Sequence, residues 1–185
     1  MKSVLTFVWE IVKITVITLA IIIPVRYFLM QPFFVKGASM EPNFDDGQYL
    51  IIDEATYHWR LPERGEVIVF RYPADPSQFY IKRIIGLPGE TVEISNNQVE
   101  IFNAEHLLGF VLDENVYLPP SVPTSGEMQQ KLGPDEYFVL GDNRLASFDS
   151  RRWGILPRSN IIGRVWLRAW PPQTVHVFGA PEYAY

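Results

Sequence analysis

The chain predicts a mainly β fold: an antiparallel β-sheet domain behind one N-terminal transmembrane helix. Three observations carry that expectation. The first stretch is apolar over the length of a bilayer, with its internal charges close to its start. Short runs of period-two alternation then recur between Gly, Pro, Asn and Asp turns, which points to antiparallel strands and not to βαβ units. Finally, 15 prolines and 12 glycines accompany 48% hydrophobic and 14% aromatic residues in a chain of 185. That mixture supplies many turns and still enough apolar mass for a core. It excludes a disordered chain.

The first element runs from Val4 to Tyr27. As a helix it reaches about 36 Å, more than the ~30 Å hydrocarbon core of a bilayer. Glu10 and Lys13 lie three apart on one face, where they can pair while the lysine reaches the interface. From Ile14 to Val25 no polar face recurs at helical period, so a buried helix of a soluble protein fits poorly. Pro24-Val25-Arg26 offers no small-residue cleavage site, which argues against a removed export signal. Residues 1–30 are therefore read as an uncleaved anchor and residues 31–185 as one β-rich domain. Lys2 and Lys13 nearly balance Arg26 and Lys36 across the segment, so charge alone leaves its direction open.

The strands follow in order. Gln48 to Ile52 starts after the Asp46-Gly47 turn, and Glu66 to Arg71 after Arg64-Gly65. Gln78 to Ile85 closes at Gly86-Leu87-Pro88-Gly89. Thr91 to Ile94 and Gln98 to Phe102 flank Asn96-Asn97, a hairpin signature. Glu136 to Leu140 precedes Gly141, and Ile161 to Trp170 stops at Pro171-Pro172. Leu118 to Gly133, with four interrupting Pro and Gly positions before Gly133, reads as a long loop, and Glu182 to Tyr185 as a frayed end.

Composition narrows the chemistry. The net charge of −5 argues against a nucleic-acid partner. With no cysteine, there is no disulfide, thiolate metal site or cysteine nucleophile. His58, His106 and His176 have no metal-ligand spacing, so neither metal nor cofactor is expected. Trp153, Trp166 and Trp170 suit either a core or a lipid headgroup region.

Three polar landmarks remain. Ser39 follows the extended apolar run Gln31 to Lys36 in Gly37-Ala38-Ser39-Met40-Glu41-Pro42. Lys82 lies in the apolar strand Tyr80-Ile81-Lys82-Arg83-Ile84-Ile85. The third run, Gly141 to Arg151, reads GDNRLASFDSR. A serine needs a base to become a nucleophile, and these landmarks offer lysine where histidine would be more familiar. A free lysine titrates near ~10.4, and desolvation on an apolar strand can bring it to about 7–8. Along that strand Tyr80, Lys82 and Ile84 share a face while Ile81, Arg83 and Ile85 point the other way, so one of the two cations must face the more buried side. In the third run Ser147 offers a hydrogen bond to an amine. Asp149 with Arg151, or with Arg144, can form a charge-assisted pair.

In this order behind an apolar helix, the three landmarks resemble the type I signal peptidases, and the resemblance covers nearly the whole chain. It implies a membrane-bound serine endopeptidase with Ser39 as nucleophile and Lys82 as general base. Ser147 would orient the lysine, and Asp149 and Arg151 would be a structural pair. It also places the domain outside the cytoplasm, as a single-pass protein of the cell membrane acting on signal-peptide-bearing precursors. An extended substrate adding between Phe33 to Ala38 and Gln78 to Lys82 would meet pocket walls at Phe33, Val35, Met40, Phe44, Tyr80 and Ile81. Such walls admit small residues, giving an Ala-x-Ala preference. Two departures stand out. Gly37 lacks the hydroxyl that supplies a second oxyanion donor in some relatives, leaving the Ser39 N–H as the first, and Asn43-Phe44 stands where Thr-Leu is more usual. Residue 82 excludes the signal peptidases that use histidine. Self-cleaving Ser/Lys repressor proteases are a rival, although the apolar helix occupies the place of their amino-terminal module. The rival of another class is a non-catalytic anchored β domain that binds exported chains, which would have no need for Ser39, Lys82 and Ser147 together.

Overall fold

A computed structural model describes residues 2–28 and 30–183. Helix α1 (Lys2–Phe28) has 27 residues, about 40 Å of backbone. Its described side chains from Thr6 to Ala20 all face solvent, among them Phe7, Trp9, Ile14, Val16 and Ile17. Among the described residues no helix is long and apolar enough to cross a membrane; the side chains of 23–28 lie outside them. A helix thus occupies the place where the anchor was expected, and its described apolar side chains are exposed.

Among the described residues twelve strands follow, and every pairing between them is antiparallel. They are β1 (Met30–Phe34), β2 (Tyr49–Asp53), β3 (Val67–Tyr72), β4 (Asp75–Gly86), β5 (Thr91–Ser95) and β6 (Gln98–Phe102). After these come β7 (Phe110–Val111), β8 (Met128–Lys131), β9 (Glu136–Leu140), β10 (Leu156–Pro157), β11 (Ile161–Trp170) and β12 (His176–Val177). A one-turn helix, α2 (Ser150–Trp153), separates β9 from β10. The larger sheet runs β1-β2-β11-β3-β4-β9-β10 with β12 beside β11, and the smaller runs β7-β6-β5-β8.

The β5–β6 hairpin turns at Asn96 and Asn97, with φ of 51° and 63°, the left-handed pair that a two-residue turn needs and asparagine tolerates. Leu118 to Gly133 is not wholly a loop: β8 lies within it and pairs with β5. Met-Gln-Gln-Lys carries no β-branched residue, so its strand character comes from the partner and not from propensity. The chain end is also less loose than expected. Tyr183 packs on the core that fills the smaller sheet, and a Cβ at Gly65 would fall 2.4 Å from Pro181. Ala184 and Tyr185 lie outside the described residues.

Strand β4 is the pivot of the domain. Ile84 packs with Tyr57, Ile68, Phe70 and Val139, whereas Ile85 packs with Val92, Ile94, Val99 and Ile101 of the smaller sheet. A third core gathers Val35, Met40, Phe44, Leu50, Ile52 and Val69. Because β4 is covered on both faces, both of its adjacent cations are buried, Lys82 at 4% and Arg83 at 6% exposure.

Candidate active site

The segment after β1 stays paired briefly with the segment before β2, through Val35 N–H to Gln48 C=O at 2.9 Å and Gly47 N–H to Val35 C=O at 3.1 Å. Gly37 then takes φ +86°, a left-handed conformation that glycine adopts without strain, and its N–H donates to Asp46 Oδ1 at 2.7 Å. The chain next coils through residues 38–44, with Phe44 N–H donating to Met40 C=O at 2.9 Å. Met40 and Phe44 anchor this turn at 1% and 0% exposure. Ser39, between the glycine and the anchors, is left half-buried on the rim.

There it meets Lys82. The amine Nζ lies 2.7 Å from Ser39 Oγ and donates to the Ile81 carbonyl at 2.7 Å. No carboxylate pairs with Lys82 among the described ion pairs. Burial brings its pKa down to about 8, against a weaker upward pull from Asp149 and Asp142. The β4 position supplies the burial, and the turn supplies the serine.

The 141–151 run fastens these two parts together. Asn143 donates from its backbone N–H to Ser39 C=O at 3.1 Å and from Nδ2 to Ala38 C=O at 3.0 Å. Asp142, fully buried, accepts from Arg83 Nε at 2.8 Å and Nη2 at 2.6 Å, and from Asn43 Nδ2 at 2.8 Å. The guanidinium of Arg83 lies 4.1 Å from the centre of the Tyr117 ring. A Cβ at Gly141 would stand 2.4 Å from Ser39 C=O and 2.1 Å from Ser147 Oγ, so only glycine lets the two segments approach this closely.

The supporting residues divide. Asp149 and Arg151 form the expected pair, Nε to Oδ1 at 2.9 Å and Nη2 to Oδ2 at 2.8 Å. Asp149 Oδ2 also accepts from Gly141 N–H at 3.1 Å. Despite its burial, the Asp149 carboxyl is held below its ordinary value by the Arg151 bonds and charge, the Gly141 N–H and the nearby Ser147 hydroxyl. Arg144 does not reach Asp149. It pairs with Glu114, both guanidinium nitrogens at 2.6 Å from the two carboxylate oxygens, and also bonds Thr124. The loop that carries Thr124 sits over Arg144 and supplies a nearer carboxylate from the segment before it. Ser147 is buried beside Gly141, and its hydroxyl makes no hydrogen bond of good geometry, so the Lys82–Ser147 bond implied by resemblance is not formed here.

A cleft of about 720 Å³ opens between the 33–39 segment and β4. Phe33, Val35, Tyr80 and Ile81 line it as expected, with Ser39 and Lys82 at one end. Met40 and Phe44 do not reach it, because both point into the core, where the Phe44 ring packs on Phe178 at 4.7 Å. Phe34, Leu50, Val69, Phe79 and Phe148 line the cleft without having been singled out from the sequence. Arg83, Asp142, Asn43 and Glu114 were missed as well. A sequence signal existed for the first two: an arginine inside an apolar strand must find an acid, and Gly-Asp-Asn supplies one. Among the described residues no group of acidic or histidine side chains could hold a metal ion.

Comparison with known proteins identifies the family. The family profile described as signal peptidase, peptidase S26, matches residues 8–170. A probable signal peptidase I-2 of Synechocystis sp. is 38% identical over 168 residues, 88% of this chain and 73% of its own. A signal peptidase I of Leptolyngbya laminosa is 36% identical over 179 residues, 92% of this chain and 83% of its own. A signal peptidase IB of Staphylococcus aureus is 30% identical over 166 residues, covering 84% and 85%.

Proposed function

Because this chain belongs to the signal peptidase family, peptidase S26, and is a peptidase of the kind that removes signal peptides, we propose that Ser39 and Lys82 carry the reaction as nucleophile and general base. The observation that supports this reading is the 2.7 Å approach of a buried, carboxylate-free amine to the serine hydroxyl. The neutral amine accepts the Oγ proton as Oγ attacks the scissile carbonyl carbon. The oxyanion of the tetrahedral intermediate is held by the Ser39 N–H. Gly37 contributes no hydroxyl, and its N–H is already given to Asp46. The Lys82 ammonium then protonates the departing amine, leaving an ester on Ser39. Water repeats the sequence, with the amine taking its proton, and releases the signal peptide's new carboxylate.

The substrate enters as an extended strand. Among the described residues both flanking segments have a free edge: β1 pairs only with β2, and β4 meets β9 only from Arg83 onward. Bulky walls at Phe33, Val35, Tyr80 and Ile81 favour small residues at the cut and two positions before it, the Ala-x-Ala pattern. Helix α1 anchors the chain as a single pass, with the domain on the extracytoplasmic side. Phe34, Tyr49 and Trp170 support that placement. They are paired across the three neighbouring strands β1, β2 and β11, and all three are exposed.

The test is cleavage of a signal-peptide-bearing precursor in detergent by the intact chain and by Ser39→Ala. Processing only by the unaltered chain is expected. Equal processing by both would refute the assignment.

A further inference from the structure

The two walls of the cleft touch at two places. At one end Ser39 meets Lys82. At the other, Phe33 meets Phe79 edge to face, ring centres 5.7 Å apart and planes at 66°. The order of these contacts is the same along both segments, so the walls run parallel. Along β4, Phe79 and Lys82 are three positions apart, about 10 Å of extended chain. A substrate strand laid from the nucleophile along this cleft therefore meets the Phe33–Phe79 contact after three residues.

Phe79 is held for such a role. Its ring is backed by the Arg71 guanidinium at 4.9 Å, so it is braced from behind. Yet it is 46% exposed and contributes to none of the three buried cores. A large aromatic side chain that gives nothing to a core, lines the cleft and spans to the opposite wall has a position suited to a ligand.

We propose that Phe79, with Phe33, forms an aromatic bridge that reads the fourth residue before the cut, favouring an apolar side chain there. The proposal rests on Ser39 being the nucleophile, because that sets where counting begins. A three-residue stretch before the cut fits between catalytic pair and bridge. A fourth residue must lie against the exposed Phe79 ring, where an apolar side chain gains contact and an amide of similar size loses part of its water.

The experiment uses the full-length chain in detergent and three peptide substrates with the same Ala-x-Ala before the cut. One has nothing before these three residues, one carries Leu at the fourth position, and one carries Asn there. Unaltered protein is expected to prefer Leu over Asn by about tenfold in kcat/KM, carried by KM. Phe79→Ala is expected to shrink that ratio below about twofold and to lower kcat/KM for the Leu peptide more than for the three-residue substrate, with Phe79→Tyr restoring the preference. An unchanged Leu-to-Asn ratio in Phe79→Ala, or an equal loss on all three peptides, overturns the bridge alone. Turnover that persists in Ser39→Ala overturns the assignment on which the bridge depends.

Discussion

Two adjacent cations on β4 live under nearly the same burial and end in opposite electrostatic states. Lys82 faces the cleft, with one serine hydroxyl and one carbonyl as partners, and its pKa falls to about 8. Arg83 faces the other way, where Asp142 takes two of its nitrogens, the Gly65 carbonyl accepts a third bond at 2.8 Å, and Tyr117 covers its plane. Desolvation pulls its pKa down, but the charge and hydrogen bonds of Asp142 together with Tyr117 and Tyr183 outweigh it, and the guanidinium's pKa rises. Burial alone therefore does not decide charge; the partner does. The same strand thus delivers a proton acceptor on one face and a permanent structural charge on the other. Asp142 is the hinge between them, since Asn43 of the serine turn also donates to it.

The largest way to break this contrast is to remove the acceptor. Lys82→Ala is expected to lower the acylation rate on the order of 10⁴-fold or more, and Lys82→Ala with Ser39→Ala should be no worse than either alone, because the two act as a unit. Single-turnover kinetics on folded variants would check this. Additive losses would mean that the pair does not work together.

On the other face, Asp142→Ala leaves Arg83 buried and uncompensated. Such a loss costs about 3–5 kcal/mol, read as a lower denaturant midpoint. Replacing both partners together, Arg83→Met with Asp142→Leu, should recover much of it. If the double variant is as unstable as Asp142→Ala, the Arg83–Asp142 pair is not what holds that face.

A third test compares the faces directly. An unfolded lysine keeps its proton to about 10.5, while folded Lys82 gives it up near 8. Between these values the unfolded chain binds more protons, so this residue makes stability rise with pH across that window. Below pH 8 the full cost of the buried amine is present. Lys82→Met should therefore be more stable than the unaltered chain near neutrality, with the gap closing by about 3 kcal/mol between pH 8 and 10.5. Arg83 offers no such gap, because its guanidinium stays charged throughout. Chemical denaturation across the pH range would show a constant gap if Lys82 were not desolvated.

Much of this was legible before the structure. The hairpin at Asn96-Asn97 and the strands around Gly47 and Gly65 follow from turn chemistry alone. The approach of Ser39 to Lys82 followed from resemblance, since nothing local joins residues so far apart. What stayed hidden depended on tertiary partners. Phe44 looked like a pocket wall because sequence shows size and not direction, and its ring points to Phe178. Arg144 had an acid five residues away, but the fold brought Glu114 nearer. Strand β8 has a polar sequence and exists because β5 has a free edge.

The smallest expected effect isolates the through-space part of the comparison. Asp149 is the stronger of the two carboxylates that pull the Lys82 pKa upward, though it touches Arg151 and Gly141 and not the amine. Above its own pKa Lys82 is a free base, so acylation should climb about tenfold per pH unit below 8 and level off above it. Asp149→Asn removes a negative charge while keeping the side chain's size, so the amine sheds its proton more readily and the rise should move to lower pH. At pH 7 the gain in neutral amine is less than about tenfold, because Arg151 already offsets part of the Asp149 charge. Loosening of the 141–151 segment would lower the plateau without moving the midpoint, so the midpoint is the quantity to measure. A midpoint that moves to higher pH would mean that Asp149 acts on Lys82 through position and not through charge.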